Sequence, residues 1–561
     1  MRVLPLLLIM ACSSKDADPG DSDSTGDADT DTDADTDSDT DTDTDSDTDT
    51  DPYTLTWDEA VYVDQGIAQS TCDTYDPAGR ACGAGLDTAF DTLAQASAYG
   101  GPGIAVLIRE GTYGNPLVVQ NSGTEGSPAI FMAYEDEEPL ITGVGLEPAV
   151  EISNRSWVVL QGLTVDNVKR WMYARDAHHN VLRANTFTRA VDGGGSSKTG
   201  LFFEEATYNL IVDNYIADST QDNLAFHGGD HNVVERNTIE TAAHVLWVIK
   251  CGNYNIVRDN TFANADQKIG EIYDCDGSGF DHQITRYDAT KYNLVERNRF
   301  TLAVKYYSIS GGNGIQNAGQ NGIIRHNVFY DTNAGLGMQR YSDEANFDRH
   351  NRAYHNVLHE NECGGIGVGS GSVDQFDDNV FVNNIVAGNI GCEAVGEAQI
   401  VYRDLAGIHF RGNDFYGSGP GADIVVAFQG PGLTLAAAEA TFPGTFAGNM
   451  ELDPSFVDAA GRDYTLSGGS PLIDQGAWLT TAASSGSGTS LEVADSGYFV
   501  DGFGIPGEVG DLIQLEGQTD TARILSIDYA SDTLTLDASL VWSAGDGVSL
   551  PYTGAGPDPG I

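Results

Sequence analysis

The 561-residue sequence has little positive charge. It carries 28 lysines and arginines against 83 aspartates and glutamates, which gives a formal net charge of −55 at pH 7. A surface this acidic repels phosphate backbones and disfavours nucleic acid as a partner. Cysteine is also scarce, and the seven present form no CxxC pair of the kind that binds zinc. No GxSxG, P-loop or HExxH motif is present, so the chemistry of those sites is not indicated.

The chain start has no apolar run long enough to span a bilayer. The stretch Val3 to Met10 is short and is interrupted by Pro5, and Arg2 precedes it, so residues 1–11 are typical of an export signal. The run LIMAC resembles the end of a bacterial lipoprotein signal. That resemblance implies cleavage before Cys12, acylation of its thiol, and anchoring in the outer membrane or at the cell surface. The alternative is a plain secretory signal.

Residues 12–52 form a segment of low complexity that consists mostly of Asp, Thr and Ser. Such a run cannot bury apolar surface, and its charges repel one another, so we expect a disordered tether. Its carboxylates could hold calcium weakly, but a spacer that separates the folded part from the membrane is the preferred interpretation. The membrane is therefore expected to be a partner only through the lipid anchor.

A repeated phrase dominates the middle of the chain. Eight phrases such as HNVLRANTF and YNLIVDNYI carry an asparagine at the same position, and in seven of them another asparagine stands five residues earlier. The successive second asparagines are 29, 23, 23, 38, 29, 29 and 28 residues apart, a period that is typical of a solenoid. Short strands within each period favour a parallel β-helix, in which these amides would stack as a hydrogen-bonded ladder. The asparagine pairs are Asn180/Asn185, Asn209/Asn214, Asn232/Asn237, Asn255/Asn260, Asn293/Asn298, Asn351/Asn356 and Asn379/Asn384, with Gly322/Asn327 as the eighth phrase.

The flanks of the repeats suggest the domain order. Residues 53–113 contain an amphipathic stretch, DTAFDTLAQASAYG, followed by a strand and a Gly-Thr-Tyr turn, an order that resembles the start of pectate-lyase-like proteins. That resemblance implies an all-β fold, a right-handed single-stranded parallel β-helix with an N-terminal helical cap, over residues 53–480. Alternating apolar strands over residues 485–552 predict a small β-barrel or sandwich, which is expected to cap the C-terminal end or to bind a glycan, before a tail at 553–561.

The cysteines that remain after Cys12 are even in number and fall as neighbours. Exported proteins keep disulfides, and two of the three spacings, 24 and 29 residues, are about one coil long. We therefore expect three bridges that join near neighbours in the chain. They are Cys72–Cys82, Cys251–Cys275 and Cys363–Cys392.

A column of ionisable or polar residues lies five positions before the first asparagine of each phrase, or before Gly322. Strand alternation places this column on an outward, exposed wall, where residues of adjacent coils are about 4.8 Å apart. Aromatic residues and an arginine stand two positions earlier on the same face, a combination typical of sugar-binding grooves. The column is Arg175, Glu204, His227, Lys250, Asp288 and Asn317, and the neighbours are Tyr173, Phe202 and Arg286.

The stretch VIKCGNYNIVRDNTF resembles the coil that carries the catalytic lysine of the chondroitinase B and alginate lyase family. The resemblance implies that Lys250 removes the proton α to a uronate carboxylate, that an arginine assists, and that Ca²⁺ neutralises the carboxylate. Arg286 is the nearest candidate arginine, and His227 is a rival base. The acidic calcium ligands are not matched, because His244 stands where one is expected.

Two functions follow from the sequence. In the first, a lipid-anchored β-helix binds a polysaccharide or cell-surface glycan and cleaves it by β-elimination. Lys250, His227 and Arg286 are then the catalytic candidates, and the chain is expected to act as a monomer. In the second, the protein is a non-catalytic adhesive or structural rod, and the column is only a charge ladder. The substrate-binding candidates of the first function are Arg175, Glu204, Asp288, Tyr173 and Phe202.

Overall fold

The computed structural model describes residues 55–191, 200–273, 289–303, 312–339, 348–369, 376–392 and 396–561. Four predicted functional residues, Cys12, Cys275, Arg286 and Asp288, lie outside these ranges, as do the export signal and the tether. Residues Thr56–Ile561 form one compact unit. No helix in the described part of the chain is long and apolar enough to cross a membrane.

Three long parallel sheets build the middle of the chain, because each coil adds one short strand to each sheet. The strand that follows the first asparagine of a phrase belongs to sheet 1, the strand that follows the second belongs to sheet 2, and a third strand completes the coil in sheet 3. In parallel pairing every strand lies directly above its equivalent in the previous coil. The architecture is the parallel β-helix that the repeat predicts.

The described strands of each sheet are as follows. Sheet 1 comprises Glu59–Val63, Thr71–Asp76, Ala81–Cys82, Asp87–Phe90, Ile104–Ile108, Ala129–Ala133, Val158–Gln161, Val181–Arg183, Leu210–Val212, Val233–Glu235, Ile256–Arg258, Leu294–Glu296, Ile323–Arg325, Arg352–Tyr354, Asn379–Val382, Ile408–Arg411 and Phe446–Ala447. Sheet 2 comprises Thr112–Tyr113, Leu140–Gly143, Thr164–Val168, Thr186–Ala190, Tyr215–Ser219, Thr238–Ala242, Thr261–Ala265, Arg299–Thr301, Val328–Tyr330, Val357–His359, Ile385–Ala387 and Asp414–Tyr416. Sheet 3 comprises Leu117–Val118, Val150–Glu151, Met172–Arg175, Leu201–Glu204, Leu224–His227, Val245–Lys250, Lys268–Tyr273, Ile315–Asn317, Leu336–Met338, Ile366–Val368, Ile400–Tyr402, Val425–Ala427 and Gly432–Leu433.

The inward side chains of the three sheets form one continuous apolar core. Equivalent positions stack on like residues, as in the column Phe262, Phe300 and Phe329, whose ring centroids are 5.1 and 4.6 Å apart. Period-two alternation along each strand leaves the neighbouring side chains outside this core. The pairing register is therefore locked, since a slip of one residue would turn every core side chain outward.

The predicted asparagine ladders are present and fully buried. The Asn237 side chain accepts hydrogen bonds from the backbone and side-chain amides of Asn214 at 2.9 and 3.0 Å. Its own amide donates to Asn260 and to the backbone carbonyls of Ile211 and Glu235. This pattern repeats from coil to coil and continues past the predicted phrases to Asn413 and Asn449. A further ladder, which the sequence analysis missed, runs through Thr332, Asn361, Asn389 and Gln399.

Both ends of the core are covered by a short helix. The N-terminal helix is Leu93–Tyr99, and Thr92 caps it by accepting a hydrogen bond from the Gln95 amide. Only the second half of the amphipathic stretch DTAFDTLAQASAYG is helical, because Asp87–Phe90 pairs in parallel with Glu59–Val63 as a strand of sheet 1. A second helix, Leu435–Thr441, buries two side chains in the core near the last coil.

The C-terminal module packs against the side of the β-helix rather than its end. Its carboxylates pair with arginines on the outer face of sheet 1, as in Arg258–Glu508 and Arg325–Asp511. Apolar residues such as Ile256 pack on the module between these pairs. The expectation of an end cap was therefore wrong.

The module strands are Thr480–Thr481, Gly486–Glu492, Leu512–Leu515, Thr521–Asp528, Thr533–Trp542 and Gly547–Ser549. Two further strand pairs lie outside the large sheets. They are Asp348–Arg349 with Phe376–Asp377, and Phe456–Asp458 with Asp463–Leu466.

Two of the predicted disulfides are confirmed. Cys72 is bonded to Cys82 and Cys363 to Cys392. Cys251 is also disulfide-bonded, while Cys275, its predicted partner, lies outside the described residues. The bridge between Cys363 and Cys392 spans 29 residues, about one coil, as the spacing predicted.

The Asn237→Ala variant should lose about 2–4 kcal/mol of unfolding free energy, because it leaves several buried backbone groups without partners. Urea denaturation measures this loss. The matched control is Asn115→Ala, since Asn115 is exposed. Equal losses in the two variants would show that the ladder does not stabilise the fold.

Asp414 is a buried carboxyl in the last coil of sheet 2. Its Oδ1 accepts a hydrogen bond from the Leu452 amide at 2.8 Å. Burial raises the pKa of Asp414 to about 8, and the charges of Asp453 and Glu451 act in the same direction. The folded protein therefore holds a proton that the unfolded chain releases near pH 4, so the unfolding free energy falls as pH rises from about 4 to about 8.

The Asp414→Asn variant removes this titration and keeps the Oδ1 acceptor. Its unfolding free energy should therefore exceed that of the wild type by a margin that widens between pH 4 and pH 8 and is constant above that range. Urea denaturation at several pH values measures the margin. A margin that does not change with pH would contradict the buried, protonated state of Asp414.

Candidate functional site on the outer face of sheet 3

The predicted ionisable column exists over four consecutive coils. Arg175 pairs with Glu204, Glu204 with His227, and His227 with Lys250, each at the last position of its strand. Their neighbours in the core column are Ala174, Phe203, Phe226 and Ile249, all of which are buried in the interior. The four ionisable side chains therefore point away from the core on one wall.

The column departs from the prediction after Lys250. Tyr273, not Asp288, occupies the next coil, because the long insertion follows the strand Lys268–Tyr273 instead of preceding it. Asn317 was predicted to face outward, but it pairs with Ile272 in the inward column. Counting five positions back from the asparagine fails in this coil, because the extra residues separate the asparagine from the preceding strand of sheet 3.

The site is more enclosed than the exposed wall that the sequence predicted. Glu204 and His227 are each 4% exposed and Lys250 is 6% exposed, whereas the Arg175 side chain is 41% exposed. The column thus leads from solvent at Arg175 into a buried region at Lys250. Charged side chains are rarely buried without polar or charged partners, so we expect polar contacts to hold the side chains around Lys250.

Aromatic rings lie beside the column, but Phe202 is fully buried and only Tyr173 is partly exposed, whereas the prediction placed both on an exposed wall. Tyr173 and Phe202 occupy the parallel outward column, and their rings are stacked with centroids 5.8 Å apart. The Tyr173 hydroxyl donates to the Glu204 carboxylate. Burial raises the pKa of Tyr173, and the hydrogen bond to Glu204 raises it further, so the hydroxyl stays protonated. The rings of Phe202 and His227 are close to perpendicular, and their centroids are 4.9 Å apart.

Lys250 and Arg175 each have a defined electrostatic neighbour. The Lys250 Nζ lies 4.8 Å from the centroid of the Tyr273 ring, within cation–π range. The negative charge of Glu204 is the largest cause of the raised pKa of Arg175. Carboxylate, imidazole and amine groups therefore follow one another along 3 adjacent strands.

A second polar cluster occupies the other end of the same strands. His244 lies just before Val245–Lys250, and its Nδ1 is 2.6 Å from Oδ1 of the buried Asp222 on the previous coil. Burial lowers the pKa of His244, but the hydrogen bond to Asp222 and the charges of Asp222 and Glu271 outweigh it, so the pKa is raised. Glu271 in turn pairs with Lys268 at 2.6 Å. This cluster could not be predicted from the sequence, since nothing in the repeat indicates that Asp222 meets a residue of the next turn.

The described residues do not form the calcium site that the family resemblance implies. No group of three or more His, Cys, Asp or Glu side chains in the described ranges is placed to hold a metal ion. The two carboxylates of this cluster, Asp222 and Glu271, are engaged by His244 and Lys268. Calcium prefers several convergent oxygen ligands, so this pair does not suit it.

Comparison with known proteins agrees with the architecture. Residues 148–285 match the family model described as a right handed beta helix region. The stacked coils form a right-handed parallel β-helix. The predicted fold class is thereby confirmed.

Several solved structures are similar in fold. Pectate lyase Pel9A is 16% identical, with 77% of this chain and 95% of that chain covered and a TM-score of 0.43. The A-module of mannuronan C-5 epimerase AlgE4 from Azotobacter vinelandii is 11% identical, with 60% and 89% covered and a TM-score of 0.40. The PL6 family polysaccharide lyase Pedsa3628 from Pseudopedobacter saltans is 13% identical, with 66% and 92% covered and a TM-score of 0.39.

Among curated proteins, an 85-residue stretch is 38% identical to the uncharacterized protein YwoF of Bacillus subtilis (strain 168). The match covers 14% of this chain and 18% of the relative, so the chain spans less than a fifth of the relative's length. This likeness is confined to a short segment.

Proposed function

We propose that the outer face of sheet 3 binds an extracellular polysaccharide and cleaves it by β-elimination. The observation that supports this proposal is the placement of Glu204, His227 and Lys250 at equivalent positions of adjacent strands. Adjacent strands are about 4.8 Å apart, so an amine and an imidazole lie within reach of one sugar linkage. Tyr173, which stacks on the fully buried Phe202, provides an aromatic flank beside them.

The proposed reaction needs one base and one acid. Neutral Lys250 takes the proton α to a uronate carboxylate, and the electrons of that C–H bond form a carbon–carbon double bond. The bond from the adjacent carbon to the glycosidic oxygen breaks, and protonated His227 gives its proton to the leaving oxygen. Arg175, three strands from Lys250 at the exposed end of the column, holds the carboxylate of a neighbouring sugar unit by charge-assisted hydrogen bonds.

A non-catalytic role is the second candidate, and the burial of the column favours it. Side chains that are only 4–6% exposed can simply join the coils through mutual contacts. In that case the protein is an adhesive or structural surface component. Activity measurements distinguish the two candidates.

We further propose that the protein is lipid-anchored through Cys12 at the outer membrane or cell surface. The support is the sequence alone: the apolar run that ends at Cys12 and the acidic segment that follows it. The tether would then carry the β-helix away from the membrane.

The Lys250→Met variant should release no unsaturated product from a uronate polymer that the wild type cleaves. Methionine keeps the length of the side chain and removes the base. Product formation is measured by the ultraviolet absorbance of the new double bond. Lys250→Arg should also be inactive, because a guanidinium stays protonated and cannot accept a proton.

The matched control is Arg236→Ala, which removes a cation from the turn between sheets 1 and 2, where Arg236 pairs with Asp213. This variant should retain full activity. If the wild type gives no product across a panel of uronate polymers, the lyase proposal fails and the non-catalytic role is favoured.

The Cys12→Ser variant should move the protein from the membrane fraction to the soluble exported fraction, because serine cannot carry the thioether-linked lipid. Fractionation followed by immunoblotting measures the distribution. A wild-type protein that is already soluble would contradict lipid anchoring.

A further inference from the structure

A column of stacked rings runs along the turn between sheets 3 and 1. In five coils its member stands just before the first asparagine of the phrase, and Trp157 holds the equivalent position one coil earlier. Each member has a left-handed backbone conformation, as in Tyr292 with φ 55°. The centroids of neighbouring rings are 4.4–5.1 Å apart. The column consists of Trp157, His179, Tyr208, His231, Tyr254 and Tyr292.

The ring column ends at Asn321, the equivalent residue of the next coil. Asn321 has the same left-handed conformation, with φ 53°, but its short side chain cannot continue the stack. A cavity of about 410 Å³ lies at this point between the β-helix and the C-terminal module. The coils line it with Tyr292 and Asn321, followed by His350 and Asp378 at the same position of later coils.

The module supplies the opposite wall of this cavity. Phe503 and Tyr529 line it, and Tyr529 contacts Tyr292 with ring centroids 5.4 Å apart. Phe503 meets Tyr254 edge-on, also at 5.4 Å. One end of the cavity is therefore aromatic.

The other end of the cavity is polar and held in place. The buried Arg352 bridges Asp378 of the β-helix and Asp495 of the module at 2.7 and 2.8 Å. His350 Nδ1 lies 3.4 Å from Asp378. Asp532, the remaining carboxylate of the lining, accepts hydrogen bonds from Ser496. The lining thus contains three carboxylates and one guanidinium, a balance that disfavours an anionic ligand.

We propose that this cavity is a second binding site, which takes a neutral saccharide of one or two rings. Its volume falls within the range of about 300–1,000 Å³ that is usual for small-ligand sites, and such sites occur preferentially at domain interfaces. Sugar hydroxyls would donate to Asp378 and Asp495, and the C–H face of the sugar ring would pack on Tyr292 and Phe503. The site is separate from the outer face of sheet 3.

Saturation-transfer NMR on the protein with a panel of neutral monosaccharides and disaccharides, and with glucuronate and galacturonate, tests the proposal. At least one neutral sugar should bind, and signals from glucuronate or galacturonate, which the outer face of sheet 3 is proposed to take, should be the same in the wild type and in Asn321→Tyr. Asn321→Tyr should abolish binding of the neutral sugar, because the added ring extends the column into the cavity. This variant should fold, since six equivalent positions already carry a ring in the same backbone conformation.

Further variants separate the two sites. Asp378→Asn should weaken binding of the neutral sugar by roughly tenfold or more, from the loss of a charge-assisted hydrogen bond. Asn154→Tyr, which adds the same ring to an exposed left-handed turn of an earlier coil, and Lys250→Met should bind the sugar as the wild type does. Absence of binding across the neutral panel, or binding that Asn321→Tyr leaves unchanged, would overturn the assignment.

Discussion

The hydrogen bond between one buried asparagine and the next is the interaction on which this structure depends. Each amide satisfies the backbone of its own turn and the amide of the neighbouring coil, so a turn such as that of Asn237 is complete only when its neighbours are in register. Buried polar groups are costly when unpaired, and the ladders therefore penalise any slip of one coil against the next. This fixed register brings side chains as distant in sequence as Arg175 and Lys250 to one wall.

The same constraint explains which parts of the structure the sequence could predict. Between Asn180 and Asn260 the asparagines lie at a constant distance from the strands, so counting from them placed Glu204, His227 and Lys250 correctly. The count failed at Asp288 and Asn317, because an insertion separates the strand Lys268–Tyr273 from the asparagine that follows it. Spacing is informative only while a coil contains no extra residues.

Burial of the site could not be predicted from the repeat. Strand alternation separates the inward side from the outward side, but it does not tell whether the outward side is covered. The pair formed by His244 and Asp222 was missed for a related reason, since it joins irregular turns of two coils that share no pattern. The docking of the C-terminal module was likewise hidden, although outward residues such as Ile256 and Leu294 are apolar in otherwise alternating strands.

The lateral attachment of the module has a mechanical consequence. Its contacts reach from Arg258 to Arg411 and thus span six consecutive coils of sheet 1. A solenoid normally holds each coil only to its two neighbours, so a pulling force can peel coils away one at a time. Here the module connects these six coils to one another from the side. A force along the axis is therefore shared among several coils, and this part of the β-helix should resist stretching until the module itself detaches.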